Sequence, residues 1–208
     1  MELRDAVRQR RMVRRFDPSR EVGQETVQRL LELAVRAPSA GFSQGWDFVV
    51  LRGDECTTFW DVTTDDGLPD SWLAGVSTAP VLIICCSDKS TYLRRYARDD
   101  KPWQDESETH WPVPYWDVDT GMAAMLMLLG AVDEGLGALF FGVQVERLDA
   151  VRETFGIPAD RGLVGVISLG YAADPKPSGS TRSVRRRSLA EVTHFGRFGQ
   201  HASVTGHE

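Results

Sequence analysis

The sequence has little of what marks secreted or metal-binding proteins. Its 208 residues include three cysteines, Cys56, Cys85 and Cys86, an odd number without metal-ligand spacing, so neither a disulfide framework nor a zinc site is expected. Cys85 and Cys86 are adjacent in a strand-like run and should point to opposite faces. The four histidines are scattered, and three fall within the last fifteen residues, which disfavours a metal centre. We expect a reducing, cytoplasmic setting.

No segment is expected to cross a membrane or to direct secretion. The most apolar later stretch, residues 121–131, is short and is flanked on both sides by acidic residues. The first fifteen residues are rich in arginine and lack the apolar core of a secretory signal. The formal net charge of −6 disfavours general binding to nucleic acid or to an anionic membrane.

Several common sequence motifs are also missing. No G-x-G-x-x-G follows a strand, no G-x-x-x-x-G-K-[ST] occurs, and no G-x-S-x-G nucleophile elbow is present. A Rossmann dinucleotide site, a P-loop and a serine hydrolase are therefore unsupported. If the protein is an enzyme, we expect a bound cofactor to supply the reactivity.

The hydrophobic patterns predict an α+β fold. Strands are expected over residues 46–51, 80–87, 138–141 and 163–169, and helices over 2–10, from Gln24 towards Pro38, 54–63 with Asp54 as cap, 117–134 and 147–155. The strand 80–87 is apolar almost throughout and should be central. The strands do not alternate strictly with helices, which favours α+β over a doubly wound sheet.

The domain organisation should be simple. We expect a single domain over residues 1–198, ending in an extended C-terminal arm, and a flexible tail over 199–208. The Trp- and Pro-rich stretch 87–116 is expected to be a long functional loop.

Arginines concentrate in two distant clusters. One contains Arg10, Arg11, Arg14 and Arg15, and the other contains Arg182, Arg185, Arg186 and Arg187. Guanidinium groups can hold a phosphate through two parallel hydrogen bonds. The alternative is that both clusters are solvated, charge-balancing surfaces.

The loop 37–46 (APSAGFSQGW) is made of small and polar residues. It could leave backbone N–H groups free to meet the carbonyls and ring nitrogens of a ligand, with the Ser39 hydroxyl as a further group. The alternative is a plain turn.

Four segments, in order and spacing, resemble the signature segments of the nitroreductase family of FMN-dependent oxidoreductases. They are RRMVRRF at 10–16, APSAGFSQGW at 37–46, GLGALFFG at 135–142 and RRRSLAEV at 185–192. The resemblance spans roughly residues 5 to 195 and links the two arginine clusters to one site.

The resemblance implies a nitroreductase-like fold: a central, mostly antiparallel sheet flanked by helices, in an intertwined homodimer. Two FMN molecules would bind at the subunit interface, and the helix 117–134 would be the central dimer helix. The FMN phosphate and ribityl chain would be held by Arg10 and Arg11 with Arg185 and Arg187.

By the same resemblance, Arg14 would lie near N1 and O2 of the flavin, where a cation stabilises developing negative charge. Pro38, Ser39 and Ala40 would come from the other subunit. The N–H groups of Phe141 and Gly142 would face N5 and O4.

Three positions depart from the family pattern. Met12, which would adjoin the flavin, stands where many members have Ser; Phe42 replaces a common Asn and adds an aromatic wall; Gly45 replaces a common Pro. The run 41–44 also resembles the flavin-cleaving dimethylbenzimidazole synthases, but that branch has Asp at the position of Met12, which disfavours its chemistry here.

The expected function is an FMN-dependent NAD(P)H oxidoreductase that works by ping-pong hydride transfer. The acceptor would be an electron-poor small molecule such as a nitroaromatic, a quinone or a flavin, lying against Phe42, Trp103, Trp111 and Tyr115. These aromatic residues could instead pack the dimer surface. No side-chain catalytic group is expected, because flavin N5 carries the chemistry. The alternatives are a flavin-binding, sequestering or sensor protein without turnover, and a dehydrogenase of a small metabolite that uses oxygen.

Overall fold

The structure is a computed structural model that describes residues 1–65, 70–173 and 183–201. The chain divides into two compact units, Met1–Pro175 and Lys176–Glu208. The boundaries expected from the sequence, 1–198 and 199–208, stay a prediction, and residues 202–208 lie outside the described part. No helix in the described ranges is both long and apolar enough to cross a membrane.

The first unit is built on a four-stranded sheet in which every pairing is antiparallel. Its strands are β1 (Trp46–Arg52), β2 (Val81–Asp88), β3 (Gly137–Phe141) and β4 (Arg161–Gly170), in the order β1-β2-β4-β3. Every residue of β2 is buried, and β2 lies inside the sheet as predicted. The antiparallel sheet and its flanking helices confirm the predicted α+β fold.

The described residues form eight α-helices. They are α1 (Leu3–Gln9), α2 (Gln24–Ala34), α3 (Asp54–Thr63), α4 (Leu73–Val76), α5 (Lys89–Tyr96), α6 (Tyr115–Asp133), α7 (Leu148–Phe155) and, in the second unit, α8 (Leu189–Val192). Short 3₁₀ turns cover Ala40–Phe42, Glu108–His110 and Val145–Arg147.

Two local predictions were wrong. The stretch 87–116 is not a continuous loop, because α5 forms there with the Asp88 side chain accepting from the Thr91 N–H at its start. The cap of α3 is Gly53 with φ 53°, and Asp54 is the first helical residue, where its charge favours the helix dipole.

The alternation of β2 explains its continuous apolar run. Val81, Ile83 and Cys85 belong to the core cluster that contains α2 and α6, whereas the next residue after each belongs to the cluster that contains α3 and α7. Side chains of successive strand residues point to opposite faces. Both faces of the sheet are therefore covered by helices, and Cys85 and Cys86 point apart as predicted.

The first arginine cluster is attached to the outer side of β3. Met12 forms a parallel bridge with Ala138, and the Val13 N–H donates to the Ala138 carbonyl at 2.9 Å. A Cβ on Gly137 would lie 2.7 Å from Val13 Cγ2, so this close approach needs glycine. The arginine cluster therefore runs alongside β3 in the same direction.

Gly45 provides a test of the packing between the 37–46 loop and α5. A Cβ at this position would lie 2.6 Å from Tyr92 Cε2 and 2.7 Å from the backbone oxygen of Asp88. We expect Gly45→Ala to lower the free energy of unfolding by about 1–3 kcal/mol, because the backbone oxygen cannot move without disturbing the β1–β2 pairing.

The measurement is equilibrium unfolding in urea. The midpoint should fall, whereas the dependence of the unfolding free energy on urea concentration should stay the same. Gly23→Ala is the control, because a Cβ at Gly23 meets nothing within 4 Å. An equal loss in both variants would contradict the packing argument.

Candidate active site

Arg10 carries an unsatisfied guanidinium nitrogen. Its Nη1 is buried and has no hydrogen-bond partner in the described part of the chain. Arg11 Nη1 instead donates to the carbonyls of Arg8 and Arg10 on the exposed side, and Arg14 Nη1 donates to the Met12 carbonyl at 3.0 Å. A buried donor without an acceptor is costly. An anionic ligand at Arg10 would remove that cost, so this residue fits a phosphate-binding role.

Arg14 is fixed by its main chain as well as by its side chain. A Cβ on Gly75 of α4 would overlap the Arg14 carbonyl oxygen, which shows how closely the two backbones approach. The parallel bridge of Met12 with Ala138 directs Arg14 towards the end of β3. Arg14 and the Phe141–Gly142 backbone therefore share one edge of the sheet.

The end of β3 exposes main chain. The Phe141 ring stacks on Trp60 with centroids 5.6 Å apart and meets Trp72 edge-on at 5.6 Å, so the side chain is held within an aromatic cluster. Gly142 is exposed, and a Cβ there would meet nothing within 4 Å. The backbone at Gly142 is thus open to a ligand.

A cleft of about 230 Å³ adjoins this backbone. Phe141, Gly142, Trp60 and Trp72 are among its walls, and the Trp60 Nε1 is buried without a hydrogen-bond partner in the described residues. Sequence reasoning missed Trp60 and Trp72. They come from α3 and from the residue before α4, far along the chain from β3, and no motif marks them.

Four N–H groups of the loop 39–44 are bonded within the protein, which favours the plain-turn alternative at these positions. Ala40 N–H donates to Asp119 Oδ2 at 2.8 Å, and Phe42 N–H donates to the Ser39 carbonyl at 2.9 Å. The N–H groups of Ser43 and Gln44 donate to the Ala40 carbonyl and the Ser39 hydroxyl. At these four positions a ligand would meet side chains, carbonyls or the ring of Phe42 rather than a free N–H group.

Phe42 projects from this loop in an uncommon conformation. Its φ is 56°, and its neighbours Gly41 and Gln44 have φ of 60° and 55°. The side chain is 75% exposed. A large side chain held in the left-handed region and turned to solvent is typical of functional sites.

The 101–116 segment forms a packed aromatic cluster. Trp103 stacks on His110 with centroids 4.7 Å apart, and Trp111 meets Trp103 and Tyr96 edge-on at 5.3 and 4.7 Å. One face of the Trp103 ring is therefore covered by His110, whereas Tyr115 is 42% exposed. Whether these residues contact a substrate stays a prediction.

This aromatic cluster adjoins the 39–44 loop. A Cβ on Gly41 would lie 2.6 Å from Tyr96 Cε2, and Arg95 Nε donates to the Gly41 carbonyl at 2.9 Å. The structure therefore brings the predicted flavin loop and the predicted substrate wall together.

The two halves of the predicted cofactor site lie at opposite edges of the sheet. The 39–44 loop leads into β1, whereas the first arginine cluster and Gly142 flank β3, and β2 and β4 lie between. Three interstrand spacings amount to about 14 Å. A single chain therefore keeps these halves apart.

In the second unit, Glu191 accepts hydrogen bonds from Arg185 and Arg187, the two arginines of this unit that are predicted to bind the phosphate. Arg185 donates to its two carboxylate oxygens at 2.9 and 2.6 Å, and Arg187 Nη2 donates to its carbonyl at 2.7 Å. Ser188 completes a capping box with Glu191 at the start of α8. Arg182 lies outside the described residues.

Thiol chemistry has no support in this structure. All three cysteines are free and buried. Burial raises the pKa of the Cys56 and Cys86 thiols to about 11 and raises that of Cys85 further. None of these thiols is a nucleophile near neutral pH.

Comparison with known proteins identifies the family. The Nitroreductase family model matches residues 7–171, and the chain belongs to this family. A relative from Methanothermobacter thermautotrophicus, provisionally named NADH dehydrogenase/NAD(P)H nitroreductase, is 30% identical over 179 residues, which cover 84% of this chain and 79% of the relative.

Solved structures share the fold. A nitroreductase family protein from Clostridium difficile 630 superposes with a TM-score of 0.71 at 22% identity, covering 95% of this chain and 99% of its own. A provisionally named nitroreductase from Desulfovibrio desulfuricans, solved in complex with FMN, gives a TM-score of 0.68 at 25% identity and covers 93% and 95% of the two chains.

The Arg185–Glu191 pair predicts a measurable titration. Hydrogen bonds from Arg185 and Ser188 lower the pKa of Glu191 from its ordinary 4.5 to about 2. A carboxylate with a lowered pKa stabilises the folded arm above pH 4.5, and that contribution is lost as the pH falls towards 2. We expect Arg185→Gln to move the midpoint upward towards 4.5, measured from the Glu191 carboxyl carbon by NMR.

Arg186→Gln is the matched control, because among the described residues the neighbouring Arg186 side chain makes no hydrogen bond to Glu191 or Ser188. An equal shift in both variants, or a wild-type midpoint near 4.5, would contradict the pairing.

Proposed function

We propose that this member of the nitroreductase family is an FMN-dependent oxidoreductase with a single shared ligand site. Bound FMN would supply the redox chemistry, taking hydride from NAD(P)H at N5 and passing it to an electron-poor acceptor such as a nitroaromatic, a quinone or a flavin by a ping-pong mechanism. The observation that carries the proposal is the buried Nη1 of Arg10, which has no hydrogen-bond partner among the described residues and lies beside the strand that ends at the open Gly142 backbone.

Arginines are the groups that would hold the cofactor. Arg10 and Arg11, with Arg185 and Arg187, would bind the phosphate and ribityl chain, for which guanidinium groups are well suited. Arg14, held by the Met12 carbonyl and by α4, would provide a fixed positive charge towards the ring. A fixed cation stabilises negative charge that develops on the ring without reorganising during the reaction.

The cleft beside Gly142 supports a small planar acceptor. Its volume of about 230 Å³ is below the range that usually holds a drug-sized ligand, so it accommodates one ring rather than a whole dinucleotide. The nicotinamide ring and the acceptor would bind in this cleft one after the other. This sharing agrees with the missing dinucleotide motif, and no side-chain acid or base is required.

A homodimer would complete the site. The exposed side of α6 carries Tyr115, Val118, Met122 and Met125 at spacings of three and four, each 36–44% exposed. A helix that is apolar on all sides is normally buried. A second copy packed on α6 would cover these residues and bring its 39–44 loop to the β3 edge of the first chain. The flavin held at that edge would then be contacted by Pro38, Ser39, Ala40 and Phe42 of the second copy.

Rapid mixing separates an enzyme from a flavin binder without turnover. We expect anaerobic mixing of the FMN-loaded protein with NADPH or NADH to bleach the oxidised flavin absorption, because hydride arrives at the ring. Added nitroaromatic or quinone should restore the colour. Colour that persists with both donors would contradict NAD(P)H as the hydride donor, as the sequestering or sensor alternative and the metabolite dehydrogenase both predict.

Arg10→Ala and Arg187→Ala should each weaken FMN binding. Loss of a charge-assisted hydrogen bond to the phosphate costs about 1.5–3 kcal/mol, or about 10- to 150-fold in the dissociation constant. Equilibrium dialysis with FMN measures it. Arg36→Ala, a change of an exposed arginine outside both clusters, is the matched control. Unchanged affinity in both site variants would contradict the phosphate assignment.

Charge on α6 should disrupt the dimer. We expect Met122→Lys to shift the protein towards monomer in sedimentation and to lower FMN retention in parallel, because the partner supplies part of the site. Val145→Lys is the control, since Val145 is 78% exposed and lies outside α6. A monomeric wild-type protein that retains FMN would contradict the shared site.

A further inference from the structure

A buried carboxylate of α6 anchors the 39–44 loop. Asp119 is 1% exposed, and its Oδ2 accepts hydrogen bonds from the Ala40 N–H and the Tyr92 hydroxyl, both at 2.8 Å. Burying a carboxylate is unfavourable unless hydrogen bonds compensate it. Burial and the bond to Asp119 raise the pKa of Tyr92, so its hydroxyl remains a donor at neutral pH. The reaction proposed above uses neither residue.

One face of α5 supports the same loop. Tyr92, Arg95 and Tyr96 are spaced i, i+3 and i+4, which places them on one side of the helix. The Tyr92 ring lies against Gly45, the Tyr96 ring lies against Gly41, and Arg95 Nε donates to the Gly41 carbonyl. Arg95 is itself oriented by an ion pair with Asp100 at 2.7 Å. The loop is therefore held from α5 and α6 together.

The loop needs this support because its conformation is unfavourable for its own residues. Phe42 and Gln44 both have positive φ, and Phe42 is too exposed for its own side chain to fix the backbone. Such conformations persist only where the surroundings impose them. The Ala40 bond to Asp119 fixes the loop two residues before Phe42 from outside the loop.

We propose that Asp119, together with Tyr92, is a positioning residue that presents the 39–44 loop and its Phe42 side chain to the flavin site. Its effect is indirect, because Asp119 is buried and acts through the Ala40 backbone and the Tyr92 ring. The inference rests on the proposed function, since it assigns the loop to an FMN site shared between two copies. Asp119 also follows Val118 on α6, so the proposed dimer surface and the loop anchor belong to one helix.

The test compares Asp119→Asn and Tyr92→Phe with Asp117→Asn. Asn keeps the size of Asp119 but removes its charge, and Phe keeps the ring of Tyr92. Asp117, two residues earlier on α6, accepts a comparable bond from the Ser87 hydroxyl at 2.6 Å and does not hold the loop. It is a matched control for loss of a carboxylate on this helix.

Two readouts are required. Hydrogen exchange of the Ala40 amide in the purified protein should accelerate by about tenfold in Asp119→Asn, as expected when a hydrogen bond to a charged acceptor is replaced by a weaker bond to a neutral amide oxygen. The dissociation constant for FMN should rise about fivefold to tenfold, with an altered visible circular dichroism of the bound flavin. Tyr92→Phe should change both in the same direction by less, and Asp117→Asn should change neither.

The outcomes distinguish this inference from the proposed function. If wild type binds FMN and Asp119→Asn binds it equally well with the same dichroism, the positioning role is overturned and the cofactor proposal stands. If Asp117→Asn gives the same changes, the effect is general destabilisation of α6 and the inference is overturned. If wild type binds no FMN, the proposed function fails, whereas the Ala40 exchange still decides whether Asp119 anchors the loop.

Discussion

The main-chain pairing of the Met12–Val13 segment with Ala138 is the contact on which the site depends. It converts an arginine-rich N-terminal segment, which would otherwise be a solvated surface, into an outer neighbour of β3. Arg10 then has a buried nitrogen without an acceptor in the part of the chain that the structure describes, and Arg14 is directed towards the end of the strand. The close contact needs Gly137 on the strand and Gly75 on α4, where side chains would collide with Val13 and with the Arg14 backbone.

The sheet that provides this edge is stabilised from both sides. Alternate residues of β2 pack against α2 and α6 on one face and against α3 and α7 on the other. The same sheet separates the 39–44 loop from the arginines by its full width. A fold that is rigid because both faces are covered cannot bring these edges together by bending, so the proposed shared site would need a second copy of the chain.

Much of the fold was predictable, because its signals are local. Apolar runs bounded by glycine or proline gave all four strands, and α6 differs from its predicted start by only two residues. The helix α5 was missed because its sequence, KSTYLRRY, has few aliphatic residues, and its start depends on the Asp88 cap. Its aromatic face is explained only by contact with the loop and the Trp-rich segment.

The site was predictable only in part. The arginines and the Phe141–Gly142 segment are assigned to the site by a resemblance that links distant segments, and that assignment stays a prediction. The internal bonding of the 39–44 loop could not be predicted, because it depends on positive φ at Phe42 and Gln44 and on a carboxylate in an apolar helix. Trp60 and Trp72 join the cleft through tertiary packing alone.

The central claim is that the arginines bind the phosphate of a flavin that lies between two chains. Its most direct measurement compares the affinities of FMN and riboflavin for the purified, flavin-free protein, together with the number of FMN bound per chain. The account predicts one FMN per chain in a dimer and a preference for FMN over riboflavin of at least about a hundredfold, as expected when charge-assisted hydrogen bonds to the phosphate are lost. Equal affinity for the two flavins, or binding of neither, would contradict it.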